Sequence, residues 1–161
     1  MSLAEFKKGL SEEYQGEVIG EIFFSGLLEH FENPQHRYKL VTLLQLETET
    51  KARLRPAALD LGVDLSELDE SRKMGHDFLK SCEGMDWRTM MAHLETVVEP
   101  YVKRYREIAE IAPPEYKEIA DSMVVHEVSI QTCARLEASG ETKHSLDDVI
   151  KQLRFPLNPR P

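Results

Sequence analysis

Three glutamates pose the chemical question in this 161-residue chain. When residues are placed at 100° per position, Glu17, Glu47 and Glu127 each fall near the centre of an apolar helical stripe. Glu17 and Glu21 lie between Phe24, Leu27, Leu28 and Phe31 on one side and Tyr14 and Val18 on the other. Leu40, Leu43, Leu44, Leu54 and Ala58 surround Glu47, with Thr50 and Lys51 one turn later. Tyr116, Ala120, Met123, Val124, Ile130 and Ala134 surround Glu127, with Gln131 one turn below. An ionised carboxylate in an apolar interior is costly by several kcal/mol unless a cation, a metal or good donors compensate. Without them the acid takes up a proton. Two compensations compete: a metal ion held by oxygens converging from facing helices, or a metal-free polar network drawing on Lys51, Thr50, Gln131, Tyr101 and Tyr105.

Helices must position these acids, because the alternating patterns of strands are essentially absent. Ser11 reads as an N-cap for a first helix from Glu12 to about Phe31, and Gly16, Gly20 and Gly26 are its small residues. Asn33-Pro34 opens a second helix that runs to about Leu61, kinks at Pro56 and closes at Gly62 in the left-handed conformation. Residues 63–86 read as a long connection carrying short stretches of helix, interrupted at Gly75 and Gly84. Asp86 caps a third long helix from Trp87 to about Ile111, bent at Pro100 and stopped by Pro113-Pro114. A fourth runs from Pro114 to about Ala138 and ends at Gly140. A short helix begins at Ser145, followed by a tail. The expected fold is a single all-α domain over residues 1–161. Its four-helix bundle spans about 11–140, with a long crossover between helices two and three and a short C-terminal helix and tail over about 145–161.

Helix three differs from the others. Its stripe is Trp87, Met91, Leu94, Val98, Tyr101, Val102 and Tyr105, with Glu95 at the edge and Glu99 farther round. It supplies bulk and phenolic hydroxyls rather than a centred acid. His126, about 100° from Glu127, falls on the flank of its stripe, where packing or an interhelical hydrogen bond is the expected role.

Gly16-Glu17, Leu46-Glu47-Thr48-Glu49-Thr50, His126-Glu127 and the stretch from Tyr105 to Ala112 together resemble the ferritin-like superfamily, nearest the rubrerythrin branch. The resemblance covers most of residues 11–140. It implies a carboxylate metal site for iron or manganese, with Glu17, Glu47 and Glu127 as ligands and Glu21 or Glu95 as auxiliary oxygen donors. Tyr101 or Tyr105 would then be a redox-capable neighbour. Intact relatives perform oxidation or peroxide reduction at two irons. The family's Glu-x-x-His pairs are altered here, since Thr50 follows Glu47 by three and Ile130 follows Glu127 by three. Lys51 brings a cation toward the expected metal position. The resemblance therefore implies a rubrerythrin-like protein with a modified carboxylate site and oxidoreductase ancestry. The alternative is a metal-free helical interaction or stress-response module with a polar core, and an inter-helix cavity binding a small molecule stays open.

Composition narrows the partners. Twenty-nine acidic against twenty basic residues give a net charge of −9, with no basic block, which argues against nucleic acid or an anionic membrane. Lys103-Arg104-Tyr105-Arg106 reads as a salt-bridged helix surface. The N-terminal residues lack a basic start and apolar run, and Cys82 and Cys133 are too few for a disulfide framework, so a cytoplasmic location with reduced thiols is expected. Ile130 stands where the zinc-protease pattern His-Glu-x-x-His needs its second histidine, and no phosphate-binding loop is present. The small residues Gly16, Gly20 and Gly26 suggest a helix face for a homodimer.

Overall fold

The computed structural model describes residues 3–158; residues 1–2 and 159–161, the ends of the expected N-terminus and tail, lie outside that range. The described residues are all-helical, with no strand. Five helices run α1 (Leu3–Leu27), α2 (Pro34–Asp60), α3 (Asp69–Ser81), α4 (Trp87–Ile111) and α5 (Lys117–Ser139), followed by the short α6 (Asp147–Ile150). α1 packs on α2 and α4 on α5, while α1 also meets α4 and α2 meets α5. None of these helices is long and apolar enough to cross a membrane.

The helix ends follow local chemistry. Asn33 Oδ1 accepts from the backbone N–H groups of Gln35 and His36 at 2.9 and 3.3 Å, and Asp86 Oδ1 accepts from Thr89 at 2.9 Å. Gly62 and Gly140 take φ of +66° and +90°, the left-handed conformation expected after α2 and α5. Both boundaries of α1 differ from expectation, and α5 begins at Lys117, behind a 3-10 turn at Pro114–Tyr116. α1 begins at Leu3, nine residues before Glu12, because Phe6 and Leu10 extend its buried stripe by two turns and Phe6 stacks on Tyr116 at 5.8 Å. It also ends at Leu27, and Phe31 instead meets the Trp87 ring edge-on at 5.2 Å.

The crossover is more regular than expected. Gly75 does not interrupt α3; it is buried against α1, where an added Cβ would stand 2.9 Å from Ile22 Cβ and 3.0 Å from the Ile19 carbonyl oxygen. The approach to α3 is tied to α1 by Gln15, which donates to the Ser66 carbonyl at 2.9 Å and accepts from Leu68 N–H at 3.1 Å.

The core divides into two apolar clusters. One gathers Phe23, Phe24 and Leu27 with Leu40, Leu43, Trp87, Met90, Met91 and Ile130. The other gathers Phe6, Leu10 and Tyr14 with Leu54, Tyr105, Ile108 and Met123. The gap between them, in register on every long helix, is where Glu17, Glu47 and Glu127 fall. Cys82 and Cys133 are buried and unpaired.

The C-terminal segment closes over α2. Glu49 accepts from the consecutive backbone N–H groups of Arg154 and Phe155 at 2.6 and 3.1 Å, and Tyr38 Oη donates to the Leu157 carbonyl at 3.1 Å. At the same end Glu137, 1% exposed, is held by Lys39, by Ser145 Oγ and by Trp87 Nε1 at 2.8 Å. Every strong donor around this carboxylate is used. Glu137→Ala strands the Lys39 ammonium and is expected to lower unfolding free energy by on the order of 3 kcal/mol; a urea titration giving a loss below about 1 kcal/mol would contradict that assignment.

Candidate metal centre

Three helices bring ligating atoms to one point in the gap between the clusters. α1 supplies Glu17, α2 supplies Glu47 and α5 supplies His126, and one ligand atom from each lies within 4.8 Å of the other two. His126 Nε2 is 3.4 Å from Glu17 Oε1 and 3.6 Å from Glu47 Oε2. Glu17 and His126 are completely buried and Glu47 is 3% exposed. With the carboxyl groups ionised, neither Glu17 oxygen nor His126 Nε2 has a hydrogen-bond partner. Donors flanking one ion at about 2.0–2.2 Å stand ~3–4 Å apart, so the two imidazole–carboxylate spacings fit a shared cation better than direct hydrogen bonding.

The other imidazole nitrogen is fixed. Thr50 Oγ1 lies 3.1 Å from His126 Nδ1, and Arg53 Nη2 donates to the same hydroxyl at 3.3 Å. Thr50 occupies the position three residues after Glu47 where the resemblance calls for a histidine. Here that residue orients an imidazole arriving from α5. His126 thus makes the interhelical hydrogen bond expected of it and is completely buried as well: α5 contacts both α2 and α4, so two adjacent faces of this helix are inside, and residues 100° apart are both buried.

Glu127 is 7% exposed and stands next to the group, outside its 4.8 Å spread. Burial pushes the Glu17 carboxyl well above the usual carboxylate range; Glu47, by its charge and by a hydrogen bond shared with protonated Glu17, and then the charge of Glu127 add to that, and Arg53 opposes it. Glu127 is raised in the same direction by burial, then by Glu47 and Glu13. Glu13 belongs to the same layer although it is not among the residues singled out from the sequence. It is completely buried, both its oxygens lack partners, and burial raises its pKa despite the opposing charge of Arg104. The signal was its i,i+4 spacing from Glu17.

Several expected partners serve other groups. Lys51 does not face the central glutamates; its ammonium holds Glu21 and, at 2.8 Å, Glu67 of the crossover. Burial lowers its affinity for a proton, but those two carboxylates outweigh it and the net shift is upward. Glu21 is therefore committed to Lys51, about 40° round the helix from Glu17, and Glu95 is half-buried outside the three-residue group. Tyr101 Oη donates to Met74 Sδ at 3.6 Å. Tyr105 does face the acids: it is 1% exposed, its hydroxyl has no partner, and burial followed by the charges of Glu127, Glu17, Glu13 and Glu47 raises its pKa strongly.

The helix-one glycines are explained within the chain. An added Cβ at Gly16 would stand 2.1 Å from Tyr105 Oη, at Gly20 2.4 Å from Glu47 Cδ, and at Gly26 2.3 Å from Leu79 Cδ2. They make room for a phenol, a carboxylate and α3, so their spacing no longer argues for a subunit contact. Comparison with known proteins finds no matching family model, curated protein or solved structure.

Two outcomes follow from this geometry. Gly16→Ala is expected to destabilise the protein by about 1–3 kcal/mol through overpacking. Tyr105→Phe removes the clashing oxygen, so a double-mutant cycle by urea unfolding should recover most of that loss; additive losses would refute the contact. The second concerns pH. Glu13, Glu17 and Glu127 have folded-state pKa values above the ordinary 4.5. Above 4.5 and up to those raised values the folded protein holds protons that the unfolded chain releases. With chelator present, the contribution of these groups is therefore greatest below 4.5 and declines as pH rises through the window. The urea midpoint should fall as pH rises above 4.5, and Glu13→Gln should flatten the slope; an unchanged slope would remove Glu13 from the layer.

Proposed function

We propose that the protein is a ferritin-like metalloprotein, related in design to the rubrerythrins, whose modified carboxylate site holds iron or manganese for oxidoreductase chemistry. In this reading α1, α2, α4 and α5 are the four-helix bundle, and residues 61–86 are the crossover joining its two halves. Support for that arrangement comes from the α1–α2 and α4–α5 pairings and the contacts of α1 with α4 and α2 with α5. Glu17, Glu47 and His126 would hold the ion, with Glu127 as the adjacent oxygen donor. The metal would supply redox and Lewis-acid chemistry.

The observation that carries the reading is the convergence of two buried carboxyl groups and His126 Nε2 from three helices, with no cationic side chain bonded to Glu17 or to that nitrogen. A metal-free polar core needs donors for these oxygens, and three of the side chains expected to supply them bond other groups. Lys51 is taken by Glu21 and Glu67, Thr50 by His126, and Tyr101 by Met74. The donor set also suits the ion: two hard carboxylate oxygens and an imidazole match manganese or iron.

The roles of the chain's own residues follow. Thr50 and Arg53 hold the imidazole with Nε2 aimed at the carboxylates. Glu17 and Glu47 carry the charge that opposes the ion's. The two apolar clusters keep bulk water from the layer, which strengthens each of those interactions.

Protein grown with added iron or manganese is expected to contain about one or two equivalents of metal by elemental analysis and to melt at higher temperature than chelator-treated protein. Glu17→Gln should abolish the uptake. Thr50→Val should weaken it by about ten- to a hundredfold while Thr50→Ser retains it. Less than about a tenth of an equivalent, with no change in melting temperature on adding metal, would reject the metal reading in favour of the metal-free module.

A further inference from the structure

α3 lies on α1 and makes little contact with α4, so these two helices stand apart with α1 behind the gap. The gap is a trough of about 540 Å³, within the size range of small-molecule sites. Ile19 forms its floor, the rings of Tyr101 and Tyr105 one side, and Leu68, Ser71 and Met74 the other. Leu68 and Met74 are 49% and 38% exposed, so the α3 edge is apolar and open. The charged groups along the trough are matched within the chain or stand in water. Arg104 donates to Glu12 at 2.7 Å and to Glu107 at 3.2 Å, while Lys8 and Glu70 are exposed. Two hydroxyls are left. Tyr101 Oη has only the Met74 thioether as its acceptor, at 3.6 Å, and sulfur accepts weakly. Ser71 is 7% exposed, and its hydroxyl is bonded to no other described residue.

We propose that this trough binds an uncharged fused-ring aromatic molecule bearing a carbonyl or hydroxyl oxygen, which replaces Met74 as the acceptor for Tyr101. The volume is more than three times the ~150 Å³ that encloses a benzene ring, so two or three fused rings fit. Ions are disfavoured, because the interior holds no unmatched charge to replace their lost hydration. Rings are favoured over saturated carbon. Tyr101 and Tyr105 meet edge to face, 6.3 Å apart at 86°, with the Met74 sulfur across the trough, and both kinds of group attract an aromatic ring beyond the area they bury. The oxygen answers the two hydroxyls: it accepts from Tyr101 more strongly than a thioether does, and Ser71 can donate to it as well. Glu17, Glu47 and His126 do not line the trough, so this binding is independent of the metal reading.

The test titrates the full chain, stripped of metal by chelator, with 2-naphthol and follows it by methyl NMR. Saturable binding is expected, with shifts concentrated on the methyl groups of Ile19, Leu68 and Met74. Three relatives of the probe separate the contributions. Naphthalene, which lacks the oxygen, should bind about three- to tenfold more weakly. Decahydro-2-naphthol, the same skeleton saturated, should bind about tenfold more weakly, and the charged 2-naphthoate at least about tenfold more weakly. Tyr101→Phe should weaken 2-naphthol by about three- to tenfold and leave naphthalene within about twofold, a selective loss that altered packing alone would not produce. If that variant fails to fold, the four-ligand series on the unsubstituted protein decides the matter. No saturable binding, equal or tighter binding of the saturated or the charged relative, shifts confined to other surfaces, or an equal loss of both aromatics in Tyr101→Phe would overturn the proposal.

Discussion

Carboxyl groups held away from water without a matching cation are the constraint on which this structure depends. Glu13, Glu17, Glu47 and Glu127 share one layer between two apolar clusters, and the guanidinium of Arg53 reaches the group through Thr50. A chain does not keep such a layer for stability, because hydrocarbon of similar volume would do at least as well. The rest of the molecule accommodates the layer. Glycines at 16 and 20 make room, Thr50 fixes the imidazole, and the flanking clusters supply the cohesion that the middle lacks.

The two buried acid environments make a useful contrast. Glu137 has an ammonium, an indole N–H and a hydroxyl around it, and it reads as architecture that locks α5 to α2, to α4 and to the segment after it. Glu17 has a neighbouring carboxyl group and an imidazole, and no ammonium, indole or hydroxyl bonded to it. The same residue type at similar burial serves two purposes, and the inventory of donors tells them apart.

Much of this was legible in the sequence, residue by residue. The centred positions of Glu17, Glu47 and Glu127 followed from helical periodicity alone, as did the caps at Asn33 and Asp86 and the terminators Gly62 and Gly140. What escaped depended on which faces have neighbours. His126 looked peripheral on a wheel because a wheel assumes one buried face, whereas α5 is covered on two. Lys51 shares the stripe of Glu47, yet its long side chain reaches sideways to the crossover, which no single-helix projection represents. In a helix beginning at Glu12, Glu13 would stand in the first turn. The buried stripe at Phe6 and Leu10 places it mid-helix instead.

The clasp between Glu49 and the backbone at Arg154 and Phe155 joins positions 105 and 106 residues apart. A ribosome releases α1 and α2 long before it releases their fastening, and His126 also emerges after both. The nascent first half consequently carries its acids on an open hydrophobic face with no imidazole opposite them. Assembly of the layer is a late, collective event, and any ion it holds is captured by an almost finished chain.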